Sequence, residues 1–191
     1  MSTALILIDL QHGLCAQEGI ASAGLADLVD SSSVLDQAST LLEAHRANGD
    51  RVVHVRLGFE EGHLNRTNRT PRFDSHQEAG RFSLGSKDTE FCPEVAPNEH
   101  ESIVTKGSVS SFASTSLETS LRAAGVDHIV LAGVATHLAI ESTAREAADR
   151  GFSVTVVGDA CIGPLEQHEH SLAKVLPGFA NVTSLEEHLA A

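Results

Sequence analysis

The chain has 191 residues, 41% hydrophobic and 20% charged, which suits one domain with a sizeable core. Its 26 acidic and 13 basic residues leave a formal charge of −13, which disfavours nucleic-acid phosphates and anionic membranes as partners. Tryptophan and tyrosine are absent, so a binding surface of stacked aromatics is not supported.

The first apolar run, Ala4-Leu5-Ile6-Leu7-Ile8, is too short for a membrane span and has no basic segment before it. It reads as a buried strand over residues 5–10. With no targeting signal visible, the cytoplasm is the expected location. Residues 34–47 carry Leu35, Ala38, Leu41, Leu42 and His45 at helical spacing and end at Asn48-Gly49. A second strand is expected over 52–57. Residues 58–101 are polar, rich in Asn, Gly and Pro, and weakly periodic, which predicts a long functional loop that covers substrate and contacts a second subunit. A third strand follows over 102–106, a helix over 114–124 and a fourth strand over 128–132. The pattern continues with a helix over 136–150, a strand over 153–157, a helix over 165–176, a short strand over 181–183 and a last helix over 185–189.

This alternation predicts a single α/β domain over residues 1–191, a doubly wound and mainly parallel six-stranded sheet with helices on both faces. In such sheets the ligand site lies at the C-terminal ends of the strands. Three of those ends are unusual. Asp9 breaks an apolar run, and a buried carboxylate is costly unless paired or used. Lys106 closes the third strand. The fourth runs into Gly133-Val134-Ala135-Thr136-His137-Leu138-Ala139, a small-residue turn that opens a helix and offers N–H groups to a developing oxyanion. Cys15, Cys92 and Cys161 are odd in number and lack C-x-x-C spacing, so neither a zinc ribbon nor a disulfide framework is expected.

These segments carry a resemblance. Ile6-Leu7-Ile8-Asp9-Leu10-Gln11, Val104-Thr105-Lys106-Gly107 with Ser110-Ser111-Phe112, Gly133-Val134-Ala135-Thr136, residues 141–147 and Val156-Val157-Gly158-Asp159-Ala160-Cys161 resemble the isochorismatase-like superfamily, the cysteine hydrolases, in order and spacing. The resemblance implies a hydrolase for a small amide, ureido compound or vinyl ether, with no cofactor and no metal, assembled as a homo-oligomer. It implies Asp9 and Lys106 as catalytic residues in ion-pair reach of each other. It also implies a cis peptide between Val134 and Ala135, an oxyanion hole from the N–H groups of Ala135 and Ala139, and substrate contacts from Gln11, Arg56, Phe112 and His137. The family's nucleophilic cysteine falls on Ala139, which cannot form an acyl-enzyme.

Three readings of Ala139 stay open. True isochorismatases also carry a small residue there, and in them the Asp acts as acid–base group while water adds to a protonated vinyl ether. The pair His137-Leu138 is similar to that branch. The other readings are a Cys-to-Ala variant of an amidohydrolase and a non-catalytic binding relative. Isochorismate itself is not implied, because the aromatic- and Gln-rich segment of isochorismatases is missing after the second strand. The single D-x-H, Asp74-Ser75-His76, lies too far along for a nicotinamidase-type metal site, and Arg66, Arg69, Arg72 and Arg81 read as surface or intersubunit charges before they read as a carboxylate clamp.

Overall fold

The structure is a computed structural model that describes residues 2–17 and 23–191. Six parallel strands form one sheet: β1 (Thr3–Ile8), β2 (Arg51–Leu57), β3 (Ser102–Lys106), β4 (His128–Val134), β5 (Ser153–Ile162) and β6 (Asn181–Thr183). Their order is β3-β2-β1-β4-β5-β6, so the winding reverses between β1 and β4 and opens a crevice there at the C-terminal edge.

Strands covered on both faces read as unbroken apolar runs, because alternate side chains enter different cores. Ile6 and Ile8 pack with Leu117 and Leu121 of α5 (Leu117–Ala123) and with Ala144 and Ala147 of α6 (Glu141–Asp149). Leu5 and Leu7 pack instead with Leu41 and Leu42 of α3 (Val34–Asn48), Val29 of α2 (Ala23–Ser31) and Leu185 of α8 (Leu185–Leu189). Gly133 sits where β4 approaches β1: its φ is +134°, and a Cβ there would lie 2.0 Å from the Ile8 carbonyl oxygen. None of the described helices is long and apolar enough to cross a membrane.

The expected elements are present with shifted ends. β1 stops at Ile8 because Asp9 takes a left-handed φ of +59°, so Asp9 and Leu10 lie beyond the strand. The helix expected from residue 114 starts at Leu117, since Ser114 has a φ of +61°. β5 continues to Ile162 through a register shift against β4. The helix expected over 136–150 opens with a wide π turn, Thr136–Ile140, before α6. The helix near the C-terminus is α7 (Leu165–His170), which passes into a second π turn, Ser171–Val175, and then a 3-10 turn, Leu176–Gly178. The stretch 58–101 is not the structureless loop that its composition suggests. It holds α4 (Pro71–Glu78), started by Pro71 at the first helical position, and several 3-10 turns. Between β1 and α2, a short α1 (His12–Cys15) follows Asp9.

One buried polar knot closes the N-terminal side of β3. The Glu101 carboxylate accepts hydrogen bonds from Arg46 Nε and Nη2 at 2.7 and 2.8 Å, from His54 Nε2 at 2.9 Å and from the Asn98 N–H at 2.9 Å. Burial pushes the Glu101 carboxyl up, but these donors outweigh it and hold the pKa down at about 2, from 4.5. A depressed folded pKa contributes stability above the unfolded value and loses it as pH falls. Glu101→Gln is therefore expected to cost about 2 kcal/mol near pH 7. The difference from wild type should shrink between pH 4.5 and about 2. Urea denaturation at both ends of that window checks this; an equal deficit at both ends would remove the linkage.

Candidate active site

The turn after β1 aims Asp9. Aspartate is among the few non-glycine residues that take positive φ readily. The Asp9 N–H donates to the Val55 carbonyl at 2.8 Å and its own carbonyl accepts from the Gln11 N–H at 2.9 Å, so the side chain leaves the sheet plane at a fixed angle. Lys106 arrives from the end of β3. Its Nζ donates to Asp9 Oδ2 at 2.8 Å and to the carbonyls of Ser108 and Val109 at 3.1 and 3.0 Å. Three ammonium protons thus meet three acceptors. The pair is nearly sealed from solvent, with Asp9 4% and Lys106 1% exposed. Burial raises the Asp9 pKa, and Lys106 opposes it with charge and hydrogen bond. Asp9 Oδ1 has no hydrogen-bond partner among the described residues.

The third contribution comes from the turn after β4. Val134–Ala135 is a cis peptide, as the resemblance implies. The Ala135 carbonyl accepts from the N–H groups of Leu138 and Ile140 at 3.1 and 3.4 Å, which winds the π turn and brings Ala139 round to the sheet edge.

Asp9, Lys106, Ala135 and Ala139 line one cavity of about 370 Å³ at the winding reversal. Leu14, Leu25, Leu57, Val109 and Leu138 give it apolar walls, and Arg72, Phe73, Ser75 and His76 of α4 contribute the rest of the lining. Few polar groups in an apolar enclosure is the usual make-up of a small-molecule site. A larger groove of about 970 Å³ lies at the opposite end of β2 and β3, beside α5. Its buried acid is Glu101, whose carboxylate is taken up by Arg46 and His54, whereas the smaller cavity holds Asp9 with one oxygen unbonded among the described residues.

The four side chains expected to touch substrate do not line this cavity. Gln11 is fully buried and extends the sheet: its Oε1 accepts from the Leu57 N–H at 2.7 Å, and its Nε2 donates to the carbonyls of Leu57 and Asp88 at 2.9 and 2.8 Å. Phe112 stacks on Phe152 in the core, with ring centroids 5.9 Å apart. Arg56 donates to Thr105 Oγ1 and to the Thr89 carbonyl at 3.1 and 3.2 Å. His137 sits on the π turn with its Nδ1 buried and unpartnered among the described residues, and burial lowers its pKa.

Arg72 and His76, which read from the sequence as surface or loop residues, line the cavity together with Phe73 and Ser75 of the same helix. The two ends of the D-x-H segment go to different partners. Asp74 turns to Arg66, which also holds Gln77, while His76 faces the cavity. Among the described residues, no group of three or more His, Cys, Asp or Glu side chains converges as ligands would.

A parallel sheet of this order, with a buried Asp–Lys ion pair and a small-residue turn at its reversal point, is the framework of an isochorismatase-like α/β hydrolase. The chain belongs to the isochorismatase family, matching the Isochorismatase domain over residues 3–187. It is 31% identical over 191 residues to the uncharacterized isochorismatase family protein YecD of Escherichia coli O157:H7, covering 100% of this chain and 96% of that one. It is 25% identical over 198 residues to the ureidoacrylate amidohydrolase RutB of Acinetobacter baylyi, covering 96% and 81%. Its fold matches the crystal structure of an isochorismatase family protein from Desulfovibrio vulgaris with a TM-score of 0.86, at 22% identity and over 100% and 99% of the two chains.

Proposed function

We propose that this chain hydrolyses a small amide, ureido compound or vinyl ether with Asp9 as proton carrier, water as the nucleophile and Ala139 at the position where cysteine hydrolases carry their thiol. One observation supports this above the others: a buried Asp9–Lys106 pair, with one carboxylate oxygen left unbonded, on the wall of the cavity at the winding reversal. A raised pKa keeps a population of protonated Asp9 available as an acid nearer neutral pH. Lys106 balances the charge left when Asp9 gives up its proton. The N–H groups of Ala135 and Ala139 receive negative charge on the substrate oxygen. The likeness to RutB points to ureido acids as first substrates, and Arg72 on the cavity wall offers a cation to a substrate carboxylate.

The test is turnover of a panel of ureidoacrylate, N-carbamoylsarcosine and a vinyl-ether acid. Hydrolysis of one supports the reading. Saturable binding of one, seen by calorimetry, with no product over days, turns it into that of a binding protein.

The same geometry predicts the behaviour of Ala139→Cys. A thiol there would stand beside the Lys106 ammonium at the start of a helical turn, two features that favour thiolate. Cys15 and Cys161 have no such advantage: the Cys92 thiol and burial hold Cys15 up, and burial pushes Cys161 up to about 12. At pH 7 the new thiol should react with iodoacetamide about tenfold faster than a free thiol, and adding Lys106→Ala should slow it. A rate no faster than that of a free thiol would show that the cavity does not activate a nucleophile.

A further inference from the structure

Among the described residues lining the cavity there is no thiol, and the two hydroxyls have partners. Ser75 Oγ donates to the Arg72 carbonyl at 2.8 Å, and the single Ser108 hydroxyl proton faces the carbonyls of Ala113 and Ser110 at 2.6 and 2.9 Å. On the hydrolase reading above the nucleophile is water, which attacks slowly unless a base takes its proton as the bond forms. Asp9 cannot both deliver a proton to the leaving group and remove one from water in the same step. Among the described residues lining the cavity, His76 is the other neutral group suited to accepting a proton.

The surroundings of His76 suit that task. Its ring stands edge-on to Phe73 and Phe82, with centroids 6.0 and 5.1 Å away and planes at 71° and 87°, so aromatic packing orients it. Neither ring nitrogen makes a hydrogen bond to a described residue, whereas His45, His54 and His168 all have such partners. Burial, with Arg72 and Arg81 nearby, lowers its pKa, which leaves the imidazole neutral with a free lone pair at physiological pH.

We propose that His76 is the general base of this site. Its imidazole takes one proton from a cavity water as the water oxygen bonds to the electrophilic carbon of the substrate. In an amide or ureido substrate the bond from that carbon to the departing nitrogen then breaks, and the nitrogen receives the Asp9 proton. The His76 imidazolium then returns its proton through solvent to the Asp9 carboxylate, which restores both groups. This rests on the hydrolase reading above, and it adds a residue that the family's Asp, Lys and Cys do not include. The charged and titratable groups around His76 are Arg72 and Arg81 on its own side, and Asp9 and Lys106 on the cavity wall.

The test compares wild type, Asp9→Asn, His76→Gln and His76→Ala on the panel compound hydrolysed fastest. His76→Gln should lower kcat by about 10²-fold or more, the ordinary range for loss of a general base. KM should move by no more than about threefold, because the base acts in the chemical step. The wild-type rate should fall as pH drops through the His76 pKa, and that acid limb should vanish in His76→Gln. Added imidazole should restore His76→Ala by about tenfold, since a free base can occupy the vacated space. Three results overturn the proposal. A His76→Gln enzyme with normal kcat and an intact acid limb, beside an inactive Asp9→Asn, removes the base and leaves the hydrolase reading standing. Loss of activity with a lowered melting temperature and no rescue by imidazole assigns His76 to packing alone. Absence of turnover by wild type on every compound removes the hydrolase reading, and the base with it.

Discussion

Asp9→Asn is expected to lower kcat by about 10²–10⁴-fold, the usual worth of a positioned acid–base group, and to leave the fold standing. The backbone tolerates the change because asparagine, like aspartate, enters the left-handed region that the φ of +59° at residue 9 requires. The amide oxygen can still accept the Lys106 Nζ proton that Asp9 Oδ2 takes at 2.8 Å, so the arrangement survives. Exchanging a charged acceptor for a neutral one costs on the order of 1–2 kcal/mol of stability. The exchangeable proton is what disappears. In wild type the acid form is favoured by burial, so the rate should fall as pH rises through the Asp9 pKa, and the residual rate of Asp9→Asn should lack that basic limb. Steady-state kinetics across pH, with a melting curve as control, decides the matter. A folded Asp9→Asn enzyme keeping more than about a tenth of wild-type kcat would assign proton transfer elsewhere.

Lys106→Met should be the most destabilising substitution at the site. Methionine fills similar space, yet it leaves the Asp9 carboxylate buried with no cation and orphans the carbonyls of Ser108 and Val109. Breaking a buried pair from one side commonly costs about 3–5 kcal/mol, because the partner's charge stays behind. Asp9 can escape part of this by staying protonated, which sets the sign of the pH dependence. Its folded pKa is already raised in wild type, and without Lys106 it rises further. A raised folded pKa contributes stability that is present at low pH and lost as pH climbs through it. The deficit of Lys106→Met relative to wild type should thus be smallest near pH 4 and grow toward pH 8. The double variant with Asp9→Asn should be less destabilised than the two single effects added together, since the uncompensated charge is gone. Chemical denaturation of all four proteins at both pH values measures this. Additive effects, or a deficit independent of pH, would mean that the two side chains are not coupled.

Much of the architecture was legible in the chain because parallel strands covered on both faces must be continuous apolar runs. Ala4–Ile8 and Ile129–Ala132 could hardly be anything else. The same logic exposed Asp9, since a carboxylate inside such a run stands out, and Lys106, since it ends a β-branched segment beside a glycine. The expectation that Ala139 stands where relatives carry cysteine has a different source: it needs the resemblance to say which residue type belongs there. The limits of the elements were less legible. A positive φ at Asp9 or Ser114 and a wide turn at Thr136–Ile140 are backbone states that side-chain periodicity does not encode.

The sequence by itself determined the layers, the parallel sheet and the pair of charges at its edge, because each follows from local apolar pattern and from the cost of burying polar groups. Only the tertiary structure decided what covers that edge and which polar groups face inward. Gln11 sits in a motif and carries a side chain suited to substrate, yet its bonds go to residues 46 and 77 positions away, Leu57 and Asp88. Arg56 and Phe112 are likewise taken up by partners distant in the chain. Conversely, His76 belongs to a stretch that looked like solvated loop. It reaches the cavity because Phe73 packs with Leu57, Phe59 and Phe82 in a small separate core, while Arg66 grips Asp74 and Gln77 on the same helix. The physical reason is common to all of these residues. A polar side chain's role is set by which donors and acceptors fill its hydrogen-bonding capacity, and those partners come from segments that meet only after the chain has folded.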